Sequence, residues 1–498
     1  MNALYAELTQ RLADLTALEE VVGILSWDQE IVMPSGAAES RGRQLSTVQV
    51  IAHERLTHPR LAELLNALRD DPTLDATQVA NVREAQRDVD KATRVPAHLV
   101  RAQAETAVRG HEIWVAARKD KHFAAFAPVL NELVEIAKAR AAAIAPDKPA
   151  YDVLLDDYEP GMTMARLDPV FDRLKEVLLP LIARTRAATD VPDMTWLTQH
   201  VPADTQRQVG ENIVRSMGYD FTCGRLDTSV HPFCGGAGPT DVRITTRYAE
   251  NAFLGSLTGM IHETGHALYE QGRDVALADQ PVSRARSMGI HESQSLLWEK
   301  QVGHGAAFWQ AQYPKLQSAY GFLKDKPLDA FLRGVNDVNA QNLIRVSADE
   351  LTYPLHVILR YELERDLFSG RLNVEDLPAA WNAKMQGYLG ITPPDDAVGV
   401  LQDVHWSGGA FGYFPCYTLG ALYAAQFYQA ALAQHPDIPE KLAAGEVEPL
   451  LGWLRAHVHR VGSRLTTDAL VTAATGRLLD PEAFLSYATA KFTRLYGL

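Results

Sequence analysis

The sequence predicts a mainly α-helical protein with one small β-sheet. Residues 1–145 are rich in Ala, Leu, Glu, Arg and Gln, and apolar residues recur every three or four positions, which is typical of packed helices. Between Asp220 and Tyr248, β-branched and aromatic residues alternate between Gly/Pro boundaries, which indicates short strands. No Pro/Gly/Ser-rich linker divides the 498 residues, so we expect a single domain over 1–498, with 1–145 as a helical scaffold or lid.

The remaining elements follow from periodicity and from proline or glycine boundaries. Pro34-Ser35-Gly36 and Val95-Pro96 each precede a helical pattern, because proline is tolerated at a helix start. Predicted helices cover 37–52, 96–119, 123–144, most of 150–218 apart from a loop at 158–162, then 260–270, 287–299, 328–349, 353–368 and much of 418–498. A Gly/aromatic loop is predicted over 407–417.

Composition excludes several classes of partner. Lys and Arg total 48 against 62 Asp and Glu, a net charge of −14, so we expect neither nucleic acid nor an anionic membrane as partner. The first residues lack a basic region followed by an apolar run, and no apolar stretch is long enough to span a bilayer. Three cysteines, an odd and small number, fit reduced thiols. We therefore expect a cytoplasmic protein.

The segment 260–270 contains a metal-binding pattern. His262 and His266 are four residues apart and share one face of a helix, so both can bind one zinc ion. Glu263 lies beside them, where a carboxylate can act as general base toward a water molecule that zinc activates. This spacing predicts metal-assisted hydrolysis of a peptide bond. A helix with two buried, hydrogen-bonded histidines is the simpler alternative.

A catalytic zinc needs a third protein ligand, which the next helix can supply. Glu292 is our candidate, because the loop-like segment after His266 allows a second helix to return antiparallel. A surface glutamate is the alternative reading of Glu292. His291 and Glu299 are rival donors on the same helix, although only Glu299 shares the helical face of Glu292.

Six motifs together resemble the carboxypeptidase Taq family of metallocarboxypeptidases, and the chain length suits this family from end to end. The loop before Tyr417 departs in one respect, because it carries Cys416 where a small hydroxyl residue is expected. The motifs are His231-Pro232-Phe233, Asp241-Val242-Arg243-Ile244-Thr245, His262-Glu263-Thr264-Gly265-His266, His291-Glu292-Ser293-Gln294, Ile344-Arg345-x-x-Ala348-Asp349 and Gly399-x-x-Gln402-Asp403-x-His405-Trp406.

The resemblance implies a helical architecture with a deep active-site groove, related to the helical oligopeptidases, with the catalytic portion within 220–420. It implies release of C-terminal amino acids with broad specificity, dependence on zinc or cobalt, and a homodimer. Carried over by motif, His262, His266 and Glu292 would be the metal ligands and Glu263 the general base.

A carboxypeptidase must bind a free terminal carboxylate, and arginine can hold one with two parallel hydrogen bonds. Arg345 resembles the carboxylate-binding arginine of the family and is our candidate. Its alternative is an i, i+4 pair with Asp349 on an exposed helix. Arg243 on the predicted strand is the rival, although it could instead bind Asp241 or a substrate carbonyl.

Other residues are candidates for the oxyanion site and for substrate contacts. We rank His405 above Tyr417 and Tyr413 as oxyanion donors, while a core role for each tyrosine stays open. His231 is a candidate contact for the substrate backbone or a structural residue. An edge strand near the metal helix could pair with an extended peptide, or form only a structural hairpin.

Asp349 and Asp403 are candidates to hold the second nitrogen of a ligand histidine. Two alternatives to a carboxypeptidase remain at this point: an endo-acting or dipeptide-releasing oligopeptidase with the same zinc site, and a non-catalytic helical binding protein with a degenerate site. Retention of Glu263 argues against the second, since a structural metal site needs no base.

Overall fold

The computed structural model describes residues 2–188, 194–338 and 342–498. Nine α-helices precede the sheet in the described part of the chain, and the loop predicted at 158–162 separates two of them. They are α1 (Ala3–Ile31), α2 (Ala38–Leu56), α3 (Pro59–Leu68), α4 (Ala76–Arg94), α5 (Ala97–Asp120), α6 (Ala127–Ile144), α7 (Ala150–Tyr158), α8 (Met164–Ala187) and α9 (Ala203–Ser216).

Helices also make up most of the described chain after the sheet. The predicted helix at 353–368 matches α14, and the helix carrying Glu292 continues into a π-helical turn, Leu297–Val302. These helices are α10 (Phe253–Gln271), α11 (Met288–Leu296), α12 (Ala306–Ala319), α13 (Leu328–Val335), α14 (Tyr353–Phe368), α15 (Leu377–Leu389), α16 (Pro415–Gln434), α17 (Ile438–Ala443), α18 (Glu448–Leu454), α19 (Thr467–Thr475) and α20 (Glu482–Tyr496).

The sheet has three strands, β1 (Leu226–Thr228), β2 (Cys234–Gly236) and β3 (Val242–Thr246), in the order β1-β3-β2. β3 pairs in parallel with β1 and antiparallel with β2. Val242 and Ile244 of β3 are buried, and β3 packs against α10. The sheet therefore lies beside the helix that carries the two histidines, as the sequence predicts.

Two glycines let the central helices approach closely. A Cβ on Gly265 of α10 would lie 2.6 Å from the carbonyl oxygen of Gln294 in α11. A Cβ on Gly420 of α16 would lie 2.5 Å from Cγ of Glu292. Because neither position has room for a side chain, α11 is held between α10 and α16, with the Glu292 side chain buried against both.

The buried apolar residues form one large core, a smaller core near the N-terminus and a minor cluster between α6 and α7. The large core runs from Trp114 in α5 to Phe492 in α20 and includes residues on both sides of α10 and α11. The smaller core joins α1, α3 and α4 through leucines and valines such as Leu65 and Val89. In the described ranges, none of the helices is long and apolar enough to cross a membrane.

Two predicted boundaries are wrong. The helix predicted over 328–349 ends at Val335, and Arg345 lies in a short 3₁₀ turn, while 339–341 fall outside the described residues. Asn336 ends the helix by donating its side-chain amide to the carbonyl of Leu332, a local hydrogen bond that competes with helix continuation. The predicted 407–417 loop stops at Phe414, so Tyr417 lies in the first turn of α16.

Candidate active site

A cavity of about 1020 Å³ opens over the side of α10 that carries His262, Glu263 and His266. Its walls come from β2, α11 and its π-helical extension, the 345–350 segment and the first turns of α14 and α16. Residues from four of the six motifs line this one cavity. Gly255 and Gly259 also line it, and a Cβ at either would meet nothing within 4 Å, so the floor before His262 is bare helix backbone.

The three predicted metal ligands converge on the floor of the cavity. Nε2 of His266 lies 3.3 Å from Oε2 of Glu292, and Nε2 of His262 lies 3.9 Å from the same oxygen. One donor atom from each residue lies within 4.8 Å of the other two. Burial lowers the pKa of His266 to about 4, so this imidazole is neutral and can bind a cation. Two imidazoles and one carboxylate fit a catalytic zinc site.

Glu292 is held ionised despite its burial. Burial raises its pKa, but the charge of His262 and a hydrogen bond with His266 lower the pKa more. The close contact with Gly420 fixes its Cβ and Cγ, and Oγ of Ser295 donates to its Oε2 at 3.3 Å. The third donor is therefore a positioned, charged carboxylate.

Glu299 holds the second nitrogen of His262. Its Oε2 accepts from Nδ1 of His262 at 2.8 Å, and its Oε1 pairs with Nζ of Lys300 at 2.6 Å. Burial raises the pKa of Glu299, but Lys300 and His262 lower it well below its usual range. The π-helical turn carries both Glu299 and Lys300, so this irregularity belongs to the site.

His291 holds the second nitrogen of His266. The two Nδ1 atoms lie 2.7 Å apart, and Nε2 of His291 lies 2.9 Å from Oε1 of Glu270, which pairs with Arg273 at 2.6 Å. With neutral rings, proton donation runs from His266 to His291 to Glu270, and this order leaves Nε2 of His266 free for a cation. His291 and Glu299, weighed as rival ligands, instead contact His266 and His262, the two predicted ligand histidines.

The prediction that Asp349 or Asp403 holds a ligand histidine is wrong. Asp349 accepts from the backbone N–H of Leu351 and from the hydroxyl of Thr352 at 2.7 Å, so it holds the turn that precedes α14. Asp403 binds two arginines instead. Glu270 lies one helical turn after His266, so the sequence places the two on one helical face. The sequence does not indicate the hydrogen-bond partner of Glu270, which comes from another helix.

Glu263 lies next to the ligand histidines on the cavity wall and is only 7% exposed. Burial raises its pKa to about 7, and the charges of Glu292 and Glu299 act in the same direction, opposed by His262. A carboxyl group with a pKa near neutrality can both accept and return a proton. Its position and chemistry suit a general base.

Arg345 lines the cavity inside a buried cluster with excess positive charge. Its Nε and Nη2 lie 3.0 Å from Oδ1 of Asp403, and its Nη1 donates to the hydroxyl of Tyr353 at 3.0 Å. Arg360, fully buried, pairs with the other oxygen of Asp403 at 2.6 Å. Two guanidinium groups face one carboxylate, which leaves one net positive charge within this three-residue cluster. The alternative Arg345–Asp349 pair does not form among the described contacts.

The comparisons with known proteins agree on a family. A model of the carboxypeptidase Taq (M32) metallopeptidases matches residues 7–492. The chain belongs to this family. It is 40% identical to thermostable carboxypeptidase 1 of Thermus thermophilus, covering 100% of this chain and 99% of the relative, and 39% identical to carboxypeptidase 1 of Bacillus subtilis, covering 99% and 98%. The crystal structure of the M32 carboxypeptidase from Deinococcus radiodurans superposes with a TM-score of 0.97 at 37% identity, covering 100% of both chains. The chain is therefore a mainly α-helical metallocarboxypeptidase that requires a divalent metal.

In this M32 carboxypeptidase, tyrosines rather than His405 face the cavity. Tyr413 and Tyr417 line it, and Nε2 of His405 lies 3.1 Å from the hydroxyl of Tyr417. Burial lowers the pKa of His405 to about 4, and Arg345 and Arg360 contribute, so this imidazole is neutral. His405 therefore reaches the cavity through Tyr417.

A buried glutamate that the motifs do not include fixes the loop carrying His405 and Tyr413. Glu364 accepts from Nε1 of Trp406 at 2.8 Å, from the backbone N–H of Gly412 at 3.0 Å and from the hydroxyl of Tyr151 at 2.7 Å. The Gly-rich segment is therefore anchored at both ends. Glu364 lies among other charged residues of α14, so the sequence gave no signal for this role.

The two other candidate substrate contacts differ in position. His231 is exposed and lines the cavity near its mouth. Arg243 binds both oxygens of Asp241 at 2.7 Å and lies over Trp27 of α1, so the structure does not bring its guanidinium to the cavity. Helix α1 covers part of the edge of β2. A Cβ on Gly23 of α1 would lie only 2.5 Å from the carbonyl oxygen of Gly236, the last residue of β2.

Two cysteines also reach this cavity. Cys234 and Cys416 are both free and both line it, while Cys223 lies elsewhere. Burial raises the pKa of each cavity thiol well above its usual range, so both are protonated and weakly reactive. Their proximity to the site agrees with the positions of the motifs in the sequence.

Proposed function

We propose that this metallocarboxypeptidase releases single amino acids from the free C-termini of peptides, with broad side-chain specificity. His262, His266 and Glu292 would hold the metal, which we propose is zinc, with cobalt as the alternative. When bound, the cation supplies Lewis acidity that polarises the scissile carbonyl and lowers the pKa of water toward neutrality. Glu299 and His291 would keep the ligand imidazoles oriented.

Glu263 is our candidate for the general base. It would take a proton from the attacking water and pass it to the nitrogen of the leaving amino acid. The negative oxygen of the tetrahedral intermediate needs hydrogen-bond donors. Tyr417 and Tyr413 line the cavity, and their hydroxyl groups suit this role, with His405 orienting the hydroxyl of Tyr417. His231 would contact the substrate backbone at the mouth, and we assign no substrate contact to Arg243.

The observation that carries the proposal is the positive cluster of Arg345, Asp403 and Arg360. A metal site with a base serves endopeptidases equally well, so it does not select the chain terminus. A buried cluster with one net positive charge favours an anion, and a terminal carboxylate can bind a guanidinium group through two hydrogen bonds. Because Arg345 lines the same cavity as Glu263, a peptide can reach the carboxylate site and the base together.

We also propose the cellular location, the oligomeric state and the domain organisation of the protein. The absence of disulfides among the three cysteines and the net charge of −14 support a cytoplasmic protein. Family resemblance supports a homodimer, which light scattering would detect as twice the 54.9 kDa chain mass. The large core from α5 to α20, together with the buried hydrogen bond from Asn81 of α4 to Gln280, supports a single folding unit over 1–498, including the 1–145 helical portion.

A time course on one short peptide tests the function. The enzyme is stripped with a chelator, metal is restored, and the peptide is supplied with a free or an amidated C-terminus. We expect single residues to be released in order from the free peptide only, and only after zinc or cobalt is added. Equal cleavage of both peptides would indicate an endo-acting or dipeptide-releasing oligopeptidase instead.

A further inference from the structure

One wall of the cavity carries buried polar atoms without partners. Nδ1 and Nε2 of His304, Oδ1 of Asn336 and Oε1 of Glu350 make no hydrogen bond of good geometry among the described residues, although all three side chains are more than nine-tenths buried. All three line the cavity. A buried polar group without a partner destabilises the folded protein, so this arrangement suits a ligand that supplies the missing partners.

These side chains are held in place by their other contacts. The amide nitrogen of Asn336 donates to the carbonyls of His304 at 3.1 Å and Leu332 at 2.8 Å, which fixes its oxygen. Oε2 of Glu350 pairs with Nζ of Lys491 at 2.6 Å, which leaves Oε1. The acceptors are therefore preorganised rather than free to turn toward solvent.

The polar wall lies next to the position proposed for the terminal carboxylate. Arg345 and Glu350 are five residues apart, and each residue from 345 to 350 lines the cavity. A peptide with its carboxylate on Arg345 would extend the side chain of its last residue along this wall. Leu296, Pro354 and Phe492 line the same cavity and offer apolar contacts for a methylene chain.

We propose that His304, Asn336 and Glu350 form the pocket for the side chain of the released residue and favour basic residues, arginine above all. This inference rests on the proposed carboxypeptidase function, and it ranks the C-terminal side chains that the enzyme would accept.

The reason is a surplus of acceptors over donors. Burial and the charges of Lys300 and Lys491 lower the pKa of His304 well below its usual range, so the neutral ring offers one acceptor and one donor. With Asn336 and Glu350 this makes three acceptors against one donor. The guanidinium of arginine carries five N–H donors, whereas leucine would leave the acceptors unpaired. A glutamate side chain would meet the unpaired oxygen of Glu350 and be repelled.

Three N-blocked tripeptides that end in Arg, Leu or Glu and are otherwise identical test this preference on the metal-loaded wild-type enzyme. We expect kcat/KM to decrease from Arg to Leu to Glu, with at least a tenfold step from Arg to Leu. An Arg peptide cleaved no faster than the Leu peptide would overturn the pocket assignment alone. No release from any of the three would refute the proposed function as well.

Two variants locate the preference in the polar wall. His304→Phe removes ring nitrogens that have no described partner and keeps a similar shape, so we expect it to fold and to reduce the Arg-to-Leu ratio several-fold. Glu350→Gln should reduce the ratio further, although it also breaks the buried pair with Lys491. Glu112→Gln on the exposed face of α5 is the matched control. A ratio that His304→Phe leaves at the wild-type value, with Glu350→Gln the same or unfolded, would overturn the proposal.

Discussion

The contact between His291 and His266 provides a quantitative test of how the metal site is built. In His291→Phe the ring packing against His266, with centroids 4.6 Å apart, is preserved, while both hydrogen bonds of the imidazole are lost. His266 then loses the partner that fixes its orientation, and Glu270 keeps only Arg273. Removal of such outer partners typically costs 10–100-fold in metal affinity, about 1.4–2.7 kcal/mol.

The assay is a competition titration of the apo-protein with zinc and a chromophoric chelator, which reports the Kd independently of catalysis. We expect His291→Phe to raise the Kd by about 10–100-fold while the far-UV spectrum stays unchanged. His111→Phe, which changes an exposed histidine on α5, is the matched control and should bind zinc as wild type does. A Kd for His291→Phe within threefold of wild type would refute the orienting role.

Three further predictions concern the base, the helix packing and the loop anchor. Glu263→Gln should lower kcat by about 10²–10⁴-fold with full metal content; more than a tenth of wild-type activity would exclude this base. Gly420→Ala should weaken zinc binding at least about tenfold, because the added Cβ would displace Glu292. The control Gly387→Ala places its Cβ in open space and should bind zinc as wild type does. Equal zinc affinities for the two variants would contradict this prediction. Burial raises the pKa of Glu364 to about 7, so the folded protein holds this proton more tightly than the unfolded chain. The resulting contribution to the free energy of unfolding is fully present below the ordinary pKa of glutamate and is lost as pH rises through about 7. The wild-type Tm should therefore fall more steeply between pH 5 and 8 than the Tm of Glu364→Gln, and parallel curves would contradict this.

The sequence could predict the features that depend on short spacing. His262 and His266 share a helical face because of the helical repeat itself, and α14 has the boundaries that its residues indicate. The convergence of Glu292 on these histidines was also predicted, because the loop-like segment between the two helices allows the second helix to return antiparallel. Local physics determines such features, so they can be inferred without knowing the tertiary fold.

Features that depend on distant contacts could not be inferred in the same way. Asp403 lies 58 residues after Arg345 and is its ion-pair partner, which no local pattern indicates. Glu299 shares the face of Glu292, as its spacing predicts, but it binds Nδ1 of His262, a contact that needs the tertiary packing of two helices. The short polar side chain of Asn336 ends α13 where the apolar pattern continues, since its amide competes for the backbone carbonyl.

The measurement that tests the central claim most directly is the ratio of kcat/KM for a free-acid peptide to that for its amide, in wild type and in Arg345→Gln. The account predicts a large ratio for wild type and a decrease of about 30-fold or more in the variant, since losing a buried charge partner costs about 2 kcal/mol or more. Arg101→Ala, an exposed arginine on α5, should keep the wild-type ratio. Equal cleavage of acid and amide by wild type, or an unchanged ratio in Arg345→Gln, would contradict carboxylate recognition by the Arg345 cluster.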